Sequence, residues 1–168
     1  MKKNIQRCTE CGKTVASEDI VIVDNMPLCP RCIYGEIKPF KMYPIGAVRN
    51  ELKRNEKDFG LSGKKNISCI DIFPSQKRFM YKLEDEKFLT IVYFLHETKS
   101  VKSVFKRGLD GKEVGVFASR TPHRLSKIAI QDVTLLKIEG TTLYVEGLDA
   151  INGSPVLDIK MKRGPLNN

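Results

Sequence analysis

The chain has no long hydrophobic run. Its longest uncharged apolar stretch, residues 88–95, is far too short to span a bilayer, which excludes a transmembrane helix. The basic N-terminus, Met1-Lys2-Lys3-Asn4-Ile5-Gln6-Arg7, has no apolar core behind it, so no secretory signal is expected. Catalytic signatures are missing too: there is no P-loop, GxGxxG, HExxH or GxSxG. Internal repeats and low-complexity tracts are absent, and no segment carries a convincing long amphipathic helix. With 41% hydrophobic and 29% charged residues, and 12 Gly and 8 Pro dispersed along it, the chain is neither disordered, collagen-like nor a coiled coil. Its 168 residues fit one ordinary domain, or one domain with a small appendage. A soluble, cytoplasmic protein is the expectation.

Acidic residues are in deficit: 20 Asp+Glu face 29 Lys+Arg, a formal charge of +9. Residues 1–36 hold five of each sign, so the whole excess lies beyond them. A positive surface concentrates polyanions and speeds their encounter, although the same charge also serves solubility alone.

Four of the five cysteines fall in the first 32 residues, as Cys8-Thr9-Glu10-Cys11 and Cys29-Pro30-Arg31-Cys32. The 17 residues between the pairs suit two knuckles that close one four-cysteine zinc site. Gly12 supplies the positive φ such a knuckle needs. Between the pairs, Ile20-Val21-Ile22-Val23 reads as a strand and Asp24-Asn25 as the turn after it. Disulfides do not fit a chain without a secretory signal, and a redox CxxC lacks its surrounding unit. An iron–sulfur cluster uses the same thiolates and stays open. So small a segment buries too little apolar surface to fold unaided, so the metal, Zn2+ on this reading, is expected to fold it. The fifth cysteine, Cys69, has no histidine nearby and reads as a small apolar strand residue.

Beyond a connector at residues 37–42 the chain reads as short strands. Pro44-Ile45-Gly46-Ala47-Val48 opens the main domain, and residues 50–66 form a charged loop with one helical turn. Residues 88–95 read as a strand buried on both faces. Asp110-Gly111 signals a hairpin ahead of Glu113-Val114-Gly115-Val116-Phe117. Alternating segments follow at 128–139, 141–146 and 156–160, divided by turns at Gly140 and Asn152-Gly153. The fold class is mainly β, a barrel or sandwich over residues 43–168 behind a zinc-ribbon-like head at 1–36.

Polar residues bunch in the second half. Phe117-Ala118-Ser119-Arg120-Thr121-Pro122-His123-Arg124 sets two arginines and a histidine in a loop straight after a strand, where an arginine fork can hold a carboxylate or phosphate. A plain solvated loop gives the same pattern. His96, at the end of the apolar run, is either a ligand-contacting group or a capped core residue. Asp149 and Asp158 flank a turn across which they can approach.

Four stretches carry a family resemblance: Pro44-Ile45-Gly46-Ala47-Val48-Arg49; Leu83-Glu84-Asp85 leading to His96; residues 115–124; and Gly147-Leu148-Asp149-Ala150 through Asp158-Ile159-Lys160. On these, residues 43–162 resemble the TsaA-like (YaeB/TrmO-type) family, whose studied members are S-adenosylmethionine-dependent tRNA methyltransferases. The resemblance implies a β-barrel-like domain that forms a homodimer and binds the donor near the dimer interface. It implies methylation of the exocyclic nitrogen of a threonylcarbamoyl-adenosine beside the anticodon, with tRNA rather than DNA or a membrane as partner. Carried over by position, His96, Phe117, Ser119, Arg124, Asp158 and Lys160 are donor-binding residues. Arg120 is a catalytic candidate for the acid group of the modified base, and Asp149 for the sulfonium charge or a late proton.

This chain also departs from the pattern. After the loop's last arginine the family continues Pro-Asn-Pro-Ile-Gly, where this chain has Leu125-Ser126-Lys127-Ile128-Ala129, and the family's closing Lys-Pro-Tyr reads Lys160-Met161-Lys162. Three readings result: a tRNA methyltransferase, a methyltransferase for another acceptor, and a binding module without catalysis.

Overall fold

The computed structural model describes residues 4–52 and 66–162. Most of the loop read at 50–66, and the first residues of the basic N-terminus, lie outside the described residues. In chain order come β1 (Ile5–Arg7), β2 (Thr14–Ala16), β3 (Val21–Val23), β4 (Met26–Leu28) and the short helix α1 (Pro30–Tyr34). Then follow β5 (Gly46–Arg49), β6 (Ile67–Ile72), β7 (Phe88–Phe94), β8 (Val104–Lys106) and β9 (Glu113–Gly115). The last strands are β10 (Ile128–Glu139), β11 (Thr142–Glu146) and β12 (Pro155–Met161). None of the described helices is long and apolar enough to cross a membrane.

The residues cluster into two compact units, Met1–Lys41 with Thr98–Lys127, and Met42–Glu97 with Ile128–Asn168. The divisions read from sequence at 1–36, 37–42 and 43–168 are linear; in space, residues 98–127 gather with the cysteine head.

The first unit is built from three antiparallel ribbons, β1–β2, β3–β4 and β8–β9. Asp24 and Asn25 join β3 to β4 at φ 49° and 66°. Two left-handed residues in a two-residue link make the turn whose twist matches the flanking strands, and Asp and Asn tolerate that region best after glycine. Val101, buried between loops, makes a parallel bridge to Val23.

The second unit is a closed barrel in the order β10-β11-β6-β5-β12-β7, with β7 returning to β10. Every pairing in it is antiparallel. Alternation sends Ile70 and Ile72, Leu89 and Ile91, and Leu143 and Val145 inward, where they join Val48, Val133, Leu148 and Val156 in one apolar cluster. Each such fully buried aliphatic side chain contributes about 1.5–3 kcal/mol relative to exposure. β5 and β6 approach so closely that a Cβ on Gly46 would lie 2.5 Å from the Asp71 carbonyl oxygen, so only glycine fits there.

Two expectations need correction. The run at 88–95 is not buried on both faces: Leu89, Ile91 and Tyr93 point inward, while Phe88 on the outer face is 45% exposed. A barrel strand has an outer side, and β-branched and aromatic residues are retained there because they suit a pleated surface. Cys69 does lie in a strand, but on the half-buried outer side of β6, with Ser68 and Ile70 filling the interior positions.

Candidate functional site

The two CxxC turns bring Cys8, Cys11, Cys29 and Cys32 together, with all four Sγ atoms within 4.8 Å of one another. The Sγ–Sγ separations are 3.8 Å for Cys8–Cys32 and Cys11–Cys29, and 3.6 Å for Cys29–Cys32. Thiolates at about 2.3 Å from a tetrahedral metal stand about 3.8 Å apart, so the cluster has the dimensions of a single-ion site. The backbone sets this up. The Gly12 N–H donates to the Cys8 carbonyl at 3.0 Å, with Gly12 at φ 72°, which closes the first knuckle. The Cys32 N–H donates to the Cys29 carbonyl at 3.1 Å in the second, and the Cys29 N–H donates across to Cys8 Sγ at 3.3 Å. Backbone hydrogen bonding, first from Cys11, lowers the Cys8 thiol to about 6 against the opposing effect of burial. Burial, and then the neighbouring thiols led by Cys29, push Cys32 up. A shared cation would favour the thiolate form of all four.

The arginine loop lies in the same unit. A 3-10 turn, Val116–Ala118, leads into it and leaves Phe117 80% exposed. Ser119 Oγ donates to the Val116 carbonyl at 2.9 Å and accepts the Thr121 N–H at 3.3 Å, so this hydroxyl shapes the loop. Arg107 grips Asp110 through two nitrogens at 3.0 and 2.6 Å and donates to the Ala118 carbonyl at 3.3 Å. His123 is half-buried, its Nδ1 3.4 Å from the Ser100 carbonyl oxygen. The Arg120 and Arg124 guanidinium groups make no hydrogen bond or ion pair among the described residues. Beyond them Lys127 takes φ 51° and donates its N–H to the Arg124 carbonyl at 3.2 Å. A proline has neither that φ nor that N–H. Residues 125–129 therefore follow a path closed to the proline that the TsaA-like pattern carries at this position.

In the second unit the polar residues gather on the turn between β11 and β12. Gln131, on β10, clasps its start: Nε2 donates to the Gly147 carbonyl at 2.6 Å and Oε1 accepts the Asp149 N–H at 3.0 Å. Asn50 Nδ2 reaches the Ala150 carbonyl at 2.8 Å and Ser68 Oγ at 2.9 Å, and the Asn50 N–H donates to Asn152 Oδ1 at 3.1 Å. His96, just past β7, has Nδ1 3.5 Å from the buried Ser154 Oγ and Nε2 4.0 Å from Glu97 Oε1. Burial raises the Tyr93 phenol, and the charge of Asp149 adds to that rise, so the carboxylate is within electrostatic reach of the buried ring. Asp158 follows an irregularity in register between Val156 and Asp158 and pairs with Lys160 at 2.5 Å. Bulges of this kind re-aim side chains beside functional sites.

Phe117, Ser119, Arg120 and Arg124 thus share one loop of the first unit. His96 and Asp149 belong to the polar turn of the second, with Asp158 and Lys160 further along β12. Sequence reasoning missed Gln131, Asn50, Ser154 and Tyr93. A signal existed for Gln131, an amide that follows the apolar run Ile128-Ala129-Ile130 within one strand.

Residues 59–162 match the family model described as the tRNA-methyltransferase O N-terminal domain. An Archaeoglobus fulgidus protein named S-adenosyl-L-methionine-binding protein is 32% identical over 119 residues, covering 70% of this chain and 85% of its own length. The human tRNA (adenine(37)-N6)-methyltransferase is 35% identical over 92 residues, covering 53% of this chain. This chain spans only 21% of that human protein, and 32% of a second A. fulgidus relative that is 35% identical to it. A crystal structure of TrmO from P. aeruginosa superposes with a TM-score of 0.60 at 25% identity, over 79% of this chain and 59% of the other.

Proposed function

Because the chain belongs to the tRNA-methyltransferase O N-terminal domain family, we propose that it is an S-adenosylmethionine-dependent methyltransferase acting on N6 of a (threonylcarbamoyl-)adenosine in tRNA. The family match over residues 59–162 carries this reading. The relatives named for S-adenosylmethionine binding and for adenine methylation support it, as does a basic excess confined to residues beyond 36.

When bound, S-adenosylmethionine supplies a methyl group on a sulfonium. The protein's own tasks are then alignment and exclusion of water, for which no activated serine or cysteine is needed. Arg120 and Arg124, which have no partner among the described residues, offer forks that suit a carboxylate, either on the donor or on the modified base. Phe117 offers an exposed flat face against which a ring can lie. Asp149 carries a negative charge suited to a sulfonium or to a proton leaving the acceptor nitrogen late. Ser119 fixes the loop's shape, while His96, Asp158 and Lys160 are assigned to the donor by resemblance. A homodimer belongs to the same reading.

For the four cysteines the reading is structural Zn2+. The all-thiolate set, the spacing of the pairs and separations of 3.6–3.8 Å favour one tetrahedral ion over a multi-iron cluster, which would hold the thiolates farther apart. Residues 1–36 then form a metal-folded head, 37–42 a connector and 43–168 the methyltransferase body.

A second reading, a binding module without catalysis, draws on the altered path at Lys127. One experiment separates the two. Full-length protein is incubated with methyl-labelled S-adenosylmethionine and bulk tRNA, and the tRNA is digested to nucleosides. Label on a modified adenosine is the expected result. Label that appears only in protein or small molecules, or nowhere, contradicts the tRNA assignment.

A further inference from the structure

The cysteine head reaches the arginine loop through a continuous run of hydrogen bonds inside the first unit. Thr9 in the first knuckle binds the hairpin: its N–H and its hydroxyl both donate to the Pro27 carbonyl, at 2.9 and 3.1 Å. The same hairpin runs from Leu28 directly into the ligand Cys29. At its tip the Asp24 N–H donates to the Val101 carbonyl at 2.9 Å, and the Val101 N–H donates to the Ile22 carbonyl at 2.9 Å. The Asp24 carboxylate accepts the Ser103 N–H on Oδ1 at 3.0 Å and the Ser103 hydroxyl on Oδ2. Those two bonds hold this carboxyl below its ordinary range, the hydroxyl contributing most. Ser103 passes the connection on, because its carbonyl accepts the Val116 N–H at 2.9 Å. Val116 opens the 3-10 turn before Phe117, and its own carbonyl holds Ser119. The neighbouring Lys102 N–H donates to the His123 carbonyl at 3.1 Å, which ties the far side of the loop to the same short segment.

We propose that the four-cysteine head is a brace for the loop at 116–124, with Asp24 as the positioning residue that transmits the constraint. This rests on the reading that the loop meets the methyl donor. The loop has little apolar packing of its own, since Val116 alone among residues 116–124 is buried. Its conformation is set by hydrogen bonds, which open one region at a time and so can be uncoupled locally. Asp24 is suited to the task because one residue supplies both the turn that ends the hairpin and the two acceptors that seize Ser103.

The test uses the full-length, metal-loaded protein and three variants. Asp24→Gly keeps the left-handed turn and removes the carboxylate, so the hairpin itself is spared. Asp24→Asn keeps one carbonyl acceptor and the turn, and Ser103→Ala removes only the hydroxyl. Expected for Asp24→Gly are unchanged metal content, amide exchange at 101–104 and 116–124 faster by about tenfold or more, and S-adenosylmethionine affinity weaker by about tenfold. Asp24→Asn and Ser103→Ala fall between Asp24→Gly and the unaltered protein. Exchange at 116–124 that is unchanged in Asp24→Gly overturns the brace, whatever the donor result. The reading beneath it fails separately: Arg124→Ala with undiminished donor affinity removes the loop from the donor site and leaves the exchange result to judge the brace.

Discussion

The two units solve the problem of cohesion by opposite means. The barrel closes around a dozen buried hydrophobic residues, ten from its six strands and two, Leu148 and Ala150, from the turn between β11 and β12, and its interior is a hydrocarbon core. In the described part of residues 1–36 the only buried side chains are Cys8 and Cys29, to which residues 98–127 of the same unit add Thr98, Val101 and Val116. The centre of the head is its sulfur cluster, and on the proposed zinc reading a metal ion does for the head what burial does for the barrel. On that reading the chain carries a self-sufficient fold beside one that depends on a ligand, and the two should respond to different perturbations.

Metal withdrawal is the largest way to break that comparison. Structural zinc sites supply about 10–16 kcal/mol at neutral pH, more than a head with two buried side chains holds from packing. A chelator should abolish amide protection across β1 to β4 and α1 while barrel amides such as those of Ile91 and Leu143 keep theirs. Persistent protection of the metal-free head, measured by hydrogen exchange, contradicts the distinction.

The barrel answers to cavities instead. Leu143→Ala empties a fully buried position and should cost about 2–5 kcal/mol in urea unfolding of the barrel, with metal content unchanged. A cost under about 1 kcal/mol would show that the core at this position collapses freely.

Function sharpens the contrast next, because the catalytic candidates fall in both units. Arg120→Ala and Asp149→Ala should each lower methyl transfer by about tenfold or more, roughly 1.4 kcal/mol. If both leave the rate within a factor of about 3, the assignments of these two residues are wrong.

The smallest effect lies on the outer barrel wall. Arg49 donates to both Asp71 oxygens, at 2.8 and 3.1 Å, and Thr142 Oγ1 adds a bond at 2.8 Å. The Arg49 hydrogen bond leads in holding Asp71 below the usual carboxylate range. A carboxyl lowered in the folded state stabilises fully above its unfolded value, about 4, and loses that contribution as pH falls through the lowered folded value. Both side chains are substantially solvated, so Asp71→Asn should cost no more than about 1 kcal/mol at pH 7. The difference from the unaltered chain should be full above about pH 4 and shrink as urea titrations are carried to lower pH. A difference that stays constant with pH assigns the effect to packing.

How much of this could be read from the letters follows the range of the forces. The knuckles, the Asp24-Asn25 turn and the Gly140 turn are local, and their residues announce them. The helix α1 carries its own signals, Pro30 at its first position and Gly35 just past its end, but is too short to show a helical period. Barrel closure between β7 and β10 joins strands far apart in sequence, which no window reveals. The gathering of residues 98–127 with the head turns on Asp24, Val101 and Ser103, three residues with no pattern between them. In the candidate site, the arginines and Asp149 stood out by type and motif. Gln131 and Asn50, which shape the turn bearing Asp149, are visible only once the backbone brings them beside it.

The methyltransferase reading requires the loop that departs at Lys127 to accept the methyl donor. The direct measurement is calorimetric titration of S-adenosylmethionine into the full-length, metal-loaded protein. Saturable binding that weakens in Arg124→Ala is the expected result. Absence of any binding heat at millimolar donor, with the barrel folded and the metal in place, contradicts it.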